Sequence, residues 1–179
     1  MPYHLTHEGV TAMPLLNISH PLEPIFDENS KVLILGTMPS PKSREAGIYY
    51  GHPKNRFWPA MSVIFGEGLI SADNDARRSF LLRRGIAMWD VLKSCDISGA
   101  SDASIKNAVP NDLGVILRIA DIRAVFCTGK KSAELYNKYC FGKMTDIAAV
   151  TLPSTSPANC AVKNDEIYTA YSVIRKYLD

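Results

Sequence analysis

Val32-Leu33-Ile34-Leu35-Gly36-Thr37-Met38-Pro39-Ser40 is the stretch that decides the fold. An unbroken run of branched aliphatic residues, with no polar alternation, describes a strand buried on both faces, as in a parallel sheet covered by helices. The strand runs into a glycine turn, and in open α/β sheets ligands sit beyond the carboxyl ends of such strands. A site is therefore expected around Gly36. Downstream, Tyr49-Tyr50-Gly51-His52-Pro53-Lys54-Asn55-Arg56-Phe57-Trp58 reads as an aromatic, amide-bearing loop. A further strand, Ala148 to Leu152, ends in Pro153-Ser154-Thr155-Ser156-Pro157-Ala158-Asn159, a stiff turn rich in hydroxyls. Two such loops supply opposite lips for one cleft.

From Lys31 onward, strand-like and helix-like segments alternate. The spacing predicts a short helix over 57–65, a helix from an N-cap at Ser71 to about Arg84, and a strand or strand end over 86–92. It further predicts a helix over 110–120, a buried strand over 123–128, and a helix from Gly129 to about Tyr139. A last helix is expected to be capped by Asn164 or Asp165. Such alternation implies a mainly parallel sheet, here of four strands, with helices on both faces: a three-layer α/β/α sandwich. Residues 1–30 carry prolines and histidines without period and read as an irregular segment over the edge of a single domain spanning 1–179. Residues 93–107 are polar and without strong periodicity, equally compatible with a functional lid and a plain connector.

At 179 residues with 46% apolar content, the chain can bury a core without staples. No run is long enough to cross a bilayer, and the first residues lack a signal-peptide pattern, so a cytoplasmic or nucleoid-associated protein is expected. Cys95, Cys127, Cys140 and Cys160 form no CxxC pair and read as reduced thiols. The net charge of +2 announces no nucleic-acid binder. Locally, however, Lys42, Arg44, Lys54 and Arg56 flank the two halves of the opening motif, and bases around one cleft hold phosphates even on a nearly neutral protein. Lys130 and Lys131 follow Gly129, whereas Arg77, Arg78, Arg83 and Arg84 read as a solvated helix face.

Several chemistries lack their residues. No Gly-x-x-x-x-Gly-Lys-Ser/Thr or Gly-x-Gly-x-x-Gly follows the first strand, no Gly-x-Ser-x-Gly elbow exists, and three of four histidines lie in the N-terminal segment. What the motifs do offer is backbone amides, an aromatic plate, an asparagine and hydroxyls. Tyr49 and Tyr50 suit stacking on a planar base. Asn55 carries both donor and acceptor, suiting it to orient a water, to read a base edge or to brace its own loop. Ser154, Thr155 and Ser156 suit phosphate oxygens. Phe57 and Trp58 read as core.

These motifs resemble the uracil-DNA glycosylase superfamily. Its mismatch-specific branch places a Gly-Ile-Asn-Pro-Gly turn before a Phe-Ala-His-Pro-x-Asn-Arg-Phe-Trp segment, and the chain shows Gly36 to Ser40 followed by Tyr50 to Trp58. Similarity is closer to the hypoxanthine-DNA (deoxyinosine) glycosylase branch, through Tyr49-Tyr50, Gly85 to Leu92, Val109-Pro110-Asn111-Asp112 and Leu152 to Asn159. The resemblance runs from Lys31 to the C-terminus. One departure stands out: many members place Asp or Asn third in the opening turn to serve the attacking water, and this chain has Met38, whose thioether orients water poorly.

The resemblance implies a monofunctional DNA glycosylase that flips a deaminated base, most closely hypoxanthine, out of damaged DNA and hydrolyses its glycosidic bond without metal or cofactor. It assigns Asn55 to catalysis and Gly36, Thr37, Met38, Tyr49 and Tyr50 to the base. Ser154, Thr155, Ser156, Pro157, Asn159, Lys54 and Arg56 fall to phosphate contact and to filling the gap in the duplex. A monomer acting on double- or single-stranded DNA is expected. The competing readings are a uracil or thymine mismatch glycosylase, a non-catalytic nucleic-acid-binding module of the same fold, and a small-molecule hydrolase.

Overall fold

The computed structural model describes residues 13–179. The part of the expected irregular segment that precedes Met13 lies outside them. Strand β1 (Leu15–Ser19) opens the described chain, so the segment before Ser30 is not wholly irregular. Then come β2 (Val32–Gly36), α1 (Pro41–Ala46), α2 (Phe57–Phe65), α3 (Asn74–Arg83) and β3 (Ile86–Asp90). They are followed by β4 (Leu92–Ser98), β5 (Ser101–Pro110), α4 (Gly114–Leu117), β6 (Ala124–Thr128) and α5 (Lys130–Tyr139). β7 (Ala149–Leu152), α6 (Asn164–Tyr171) and a 3₁₀ turn over Ser172–Tyr177 complete the chain.

Two sheets result. The first has the order β3-β2-β6-β7, every pair parallel, with Leu35 opposite both Trp89 and Cys127. All five residues of β2 and all five of β3 are buried, which explains their continuous apolar reading. α3 packs against β3, α5 against β6 and β7, and α6 against β7 and α2, giving the expected α/β architecture. Fully burying each aliphatic side chain of these strands contributes about 1.5–3 kcal/mol, so the sheet is the rigid part of the molecule.

The second sheet, β1-β4-β5, is antiparallel, and it corrects the expectation for residues 93–107. They form most of a hairpin rather than an irregular connector. Register shifts between Leu92 and Ser98 interrupt the alternation that identifies a half-exposed strand, and no residue of β5 is buried.

Smaller differences have local causes. Asp73, rather than Ser71, caps α3, its carboxylate accepting from Ala76 N at 2.8 Å. Only Gly114–Leu117 of the expected 110–120 helix is helical; Leu113, Ile116 and Ala120 are nonetheless buried, so the apolar spacing marked contact with the core. Lys163 occupies the N-cap of α6, where its backbone N–H donates to Glu166. Arg83 and Arg84 pair with Glu67 at the surface, whereas Arg77 donates to the Leu69 and Ile70 carbonyls and lies over Trp58. Phe57 and Trp58 are core, and all four cysteines are free thiols, with Cys160 alone exposed.

Candidate active site

Three segments meet beyond the carboxyl ends of the parallel strands: the turn after β2, the loop before α2, and the turn after β7. They line a cavity of about 270 Å³, to which the tip of the β4–β5 hairpin adds Gly99, Ala100 and Asp102. Gly36, Thr37, Met38, Tyr49, Tyr50, Asn55, Ser154, Thr155, Ser156 and Pro157 all border it. Lys54, Arg56 and Asn159 do not.

The floor forms where β2 and β3 end side by side, Gly36 opposite Asp90. A Cβ at Gly36 would collide with Asp90 Oδ1 and come within 3.2 Å of the Tyr50 hydroxyl, so only glycine fits. Asp90 is almost fully buried and receives a hydrogen bond from His20 Nε2 at 2.8 Å on its Oδ2. Leu22 N donates to His20 Nδ1, which leaves the ring proton on Nε2 and makes the imidazole the donor to Asp90. Asn111, also buried, donates to the Asp90 and Leu92 carbonyls and so fixes the chain where it leaves β3 for β4.

The aromatic loop divides into a plate and its support. Tyr50, in the left-handed region at φ 55°, stacks on Phe57 with centroids 4.3 Å apart, so only its opposite face remains for a ligand. Its hydroxyl meets Thr128 Oγ1 at 2.9 Å, and burial, reinforced by the Asp90 charge, holds the phenol well above its ordinary pKa. Tyr49 is 3% exposed, and its hydroxyl donates to the Leu22 and Glu23 carbonyls. It is chiefly a packing residue that touches the cavity wall.

Asn55 is half-buried. Its Oδ1 accepts from Phe57 N at 2.9 Å, which orients the side chain, while its Nδ2 has no protein partner among the described residues. Asn55 therefore braces its own loop through Oδ1 while bordering the cavity. Arg56 turns away: its guanidinium donates to the carbonyls of Val162 at 2.5 Å, Asn159 at 2.8 Å and Ser156 at 3.5 Å, and its backbone N–H donates to Thr155 O. It ties the two lips together rather than facing solvent. Within the second lip, Asn159 donates to Ser154 O, and the Ser154 and Ser156 hydroxyls accept from backbone amides two residues on. Lys54 is exposed at the rim.

Sequence reasoning missed Asp90, Asp102, His20 and Thr128 as site residues. Asp90 had a signal, since a carboxylate ending a wholly apolar strand lies where ligands bind. Asp102 and His20 had none, because both arrive on the antiparallel sheet.

The uracil DNA glycosylase superfamily matches residues 23–175 of this chain. The chain belongs to that superfamily. Among its relatives, the hypoxanthine DNA glycosylase of Methanosarcina barkeri is 38% identical over 112 residues, covering 62% of this chain and 71% of that protein. That of Methanosarcina acetivorans is 32% identical over 136 residues, covering 75% and 84%. The solution NMR structure of a uracil DNA glycosylase candidate from Methanosarcina acetivorans superposes with a TM-score of 0.77 at 28% identity, covering 90% of this chain and 99% of that one. Membership of the superfamily makes this protein a DNA glycosylase, a hydrolase of N-glycosyl bonds with DNA as its substrate.

Proposed function

We propose that this glycosylase excises hypoxanthine from DNA, as the names of its Methanosarcina relatives state for those proteins. The observation that carries the reading is the shared cavity: an aromatic plate with one free face, a glycine turn closed by two parallel strands, and Asn55 border the same space. A flipped base stacks on Tyr50, and extrusion costs a few kcal/mol, less where the pair is mismatched. Backbone groups of Gly36 to Met38 bond the base edge and oppose the negative charge that develops on the departing purine. Asn55 Nδ2 donates to a water and holds it near the anomeric carbon. Ser154, Ser156 and Pro157 meet phosphate and fill the gap left in the duplex, while Thr155 is buried and supports that turn from within through its carbonyl, which accepts from Arg56 N. Lys54 adds attachment that weakens with salt. Arg56 and Asn159 serve the same contact indirectly, by fixing the loop that makes it.

The test is single-turnover excision by the full chain, run as a monomer, on labelled duplex and single-stranded oligonucleotides containing hypoxanthine, uracil or xanthine, with alkaline cleavage of the abasic product. Preferential hypoxanthine release is expected. Preferential uracil release would move the enzyme to the mismatch-specific branch and show that Met38 does not prevent that chemistry. No abasic product from any substrate would leave a binding module.

A further inference from the structure

Attack by water needs somewhere for the water's proton to go, and Asn55 cannot take it. Its carboxamide is a negligible base near neutral pH, and Nδ2 only donates. Met38, in the turn itself, offers a thioether. Of the titratable groups bordering the cavity, His52 accepts a backbone hydrogen bond from Lys54 N on Nδ1, so its remaining ring nitrogen carries the proton. Tyr49 and Tyr50 are neutral phenols, held so by burial. That leaves two carboxyls, Asp90 and Asp102.

They differ in what holds them. Asp90 lies on the floor beneath Gly36, with Oδ2 bound by His20 and little surface exposed. Asp102 comes from the start of β5, and its Oδ2 accepts from Thr37 Oγ1 at 3.3 Å. Its Oδ1 has no protein partner among the described residues. Thr37 stands beside Met38, so the second sheet delivers a carboxylate to the turn whose own side chain cannot serve a water.

We infer that Asp102 is the general base of the reaction, taking a proton from the water that Asn55 orients. The water oxygen bonds to C1′ of the sugar as the C1′–N9 bond breaks. The bonding pair leaves on the purine, which is protonated from solvent, and the water's proton passes to Asp102 and then to solvent. Positioned general bases contribute about 10²–10⁴-fold, most effectively when their pKa lies near the working pH. Burial pushes the Asp102 carboxyl above the ordinary carboxylate range, and the Asp90 charge adds to this; the Thr37 hydrogen bond and Lys131 of α5 oppose it. Cys95 of β4 faces the same carboxyl, and His52 and Tyr50 occupy the other walls.

The inference rests on the glycosylase reading above, and the test separates the two. Single-turnover excision of hypoxanthine is measured from pH 4.5 to 9 for the wild type, Asp102→Asn and Asp102→Glu, with affinity for the same duplex measured in parallel. A base works deprotonated, so the wild-type rate should rise with pH through an acid limb. Asp102→Asn keeps an acceptor for Thr37 but loses the basicity, so its rate should fall at least tenfold at neutral pH and lose that limb, with affinity changed less than threefold. Asp102→Glu should keep the limb at reduced amplitude. An active Asp102→Asn variant that retains the limb overturns the assignment while leaving the glycosylase reading intact, as does equal loss of rate and affinity. A wild type inactive on every deaminated base removes both.

Discussion

The two sheets of this enzyme are built on opposite principles. Strands β2, β3 and β6 of the parallel sheet are buried on both faces and supply position: their ends set Gly36, Asp90 and Thr128 side by side. The antiparallel sheet is irregular in register and buries no residue of β5, yet it brings Asp102 to the cavity and, beside β1, His20 to the carboxylate on its floor. Among the described residues, two side-chain-to-side-chain hydrogen bonds clasp one sheet to the other, His20 to Asp90 and Thr37 to Asp102, and both run through a carboxylate. A scaffold can be apolar throughout, whereas the groups that react must come from elements that tolerate polarity.

Unclasping the sheets at the floor should have the largest effect. His20→Ala leaves the buried Asp90 carboxylate without the neutral imidazole that donates to it, and hydrogen bonds to charged groups contribute about 1.5–3 kcal/mol. Chemical denaturation at pH 7 reads this as a lower midpoint with little change in slope. Thr37→Val, which removes the longer and less buried clasp, should cost about 1 kcal/mol. Equal losses in the two variants would mean that the floor pair is no more buried in energetic terms than the rim pair, and the contrast between the clasps would fail.

The same contrast explains what could be read from the residues. Val32 to Gly36 and Ala124 to Cys127 announce themselves because burial on both faces leaves nothing but apolar side chains, whereas Ala149 to Leu152, at the sheet edge with Thr151 exposed, shows a weaker run; the loops that follow are read from the strands they end. The hairpin over 92–110 does not, since its shifted register scrambles the alternation that marks a half-exposed strand. Its contribution to the cavity depends on pairing with β1, more than seventy residues earlier in the chain, and no local pattern encodes such a contact. Arg56 escaped for a related reason. A cation in a DNA-binding motif suggests phosphate, and only the path of the chain over 156–162 shows that carbonyls claim the guanidinium first.

Asn55→Ala separates position from chemistry on the scaffold side. Losing the amide proposed to hold the water should lower single-turnover excision by about 100-fold, the usual penalty for a misplaced reactant, while the melting temperature and duplex affinity stay close to the wild type. An unchanged rate would return Asn55 to the role its Oδ1 already performs, bracing Phe57 N. A collapse in stability matching the loss of rate would have the same meaning.

Arg56→Ala asks whether the lip after β7 is held as firmly as the floor. It removes charged donors from the Asn159 and Val162 carbonyls, and hydrogen bonds to charged groups contribute about 1.5–3 kcal/mol. Part of that loss returns as water solvates the half-exposed loop, so a destabilisation of about 2 kcal/mol is expected, with weaker duplex binding at every salt concentration. Arg56→Lys should restore little, because a single ammonium cannot span both carbonyls as the planar fork does. A variant whose only defect is a shallower salt dependence of DNA affinity would instead place the guanidinium on phosphate, contrary to its partners in the free protein.

Tyr50→Phe is the finest cut, since it alters the hydroxyl and leaves the ring on Phe57. The lost bond to Thr128 should cost about 1 kcal/mol, because Thr128 Oγ1 can still turn to the Leu35 carbonyl. Capture of the flipped base should barely change if the plate is what matters, since base–aromatic stacking contributes about 1–3 kcal/mol whichever ring supplies the face. Tyr50→Ala removes the plate and should weaken lesion-dependent binding, measured as the ratio of affinities for damaged and undamaged duplex, by about tenfold or more. Equal defects in the two variants would transfer the role from the ring to the hydroxyl. The hydroxyl sits above Gly36 and beside Thr128, at the carboxyl ends of two parallel strands, so base recognition would then belong to the floor of the cavity rather than to its aromatic wall.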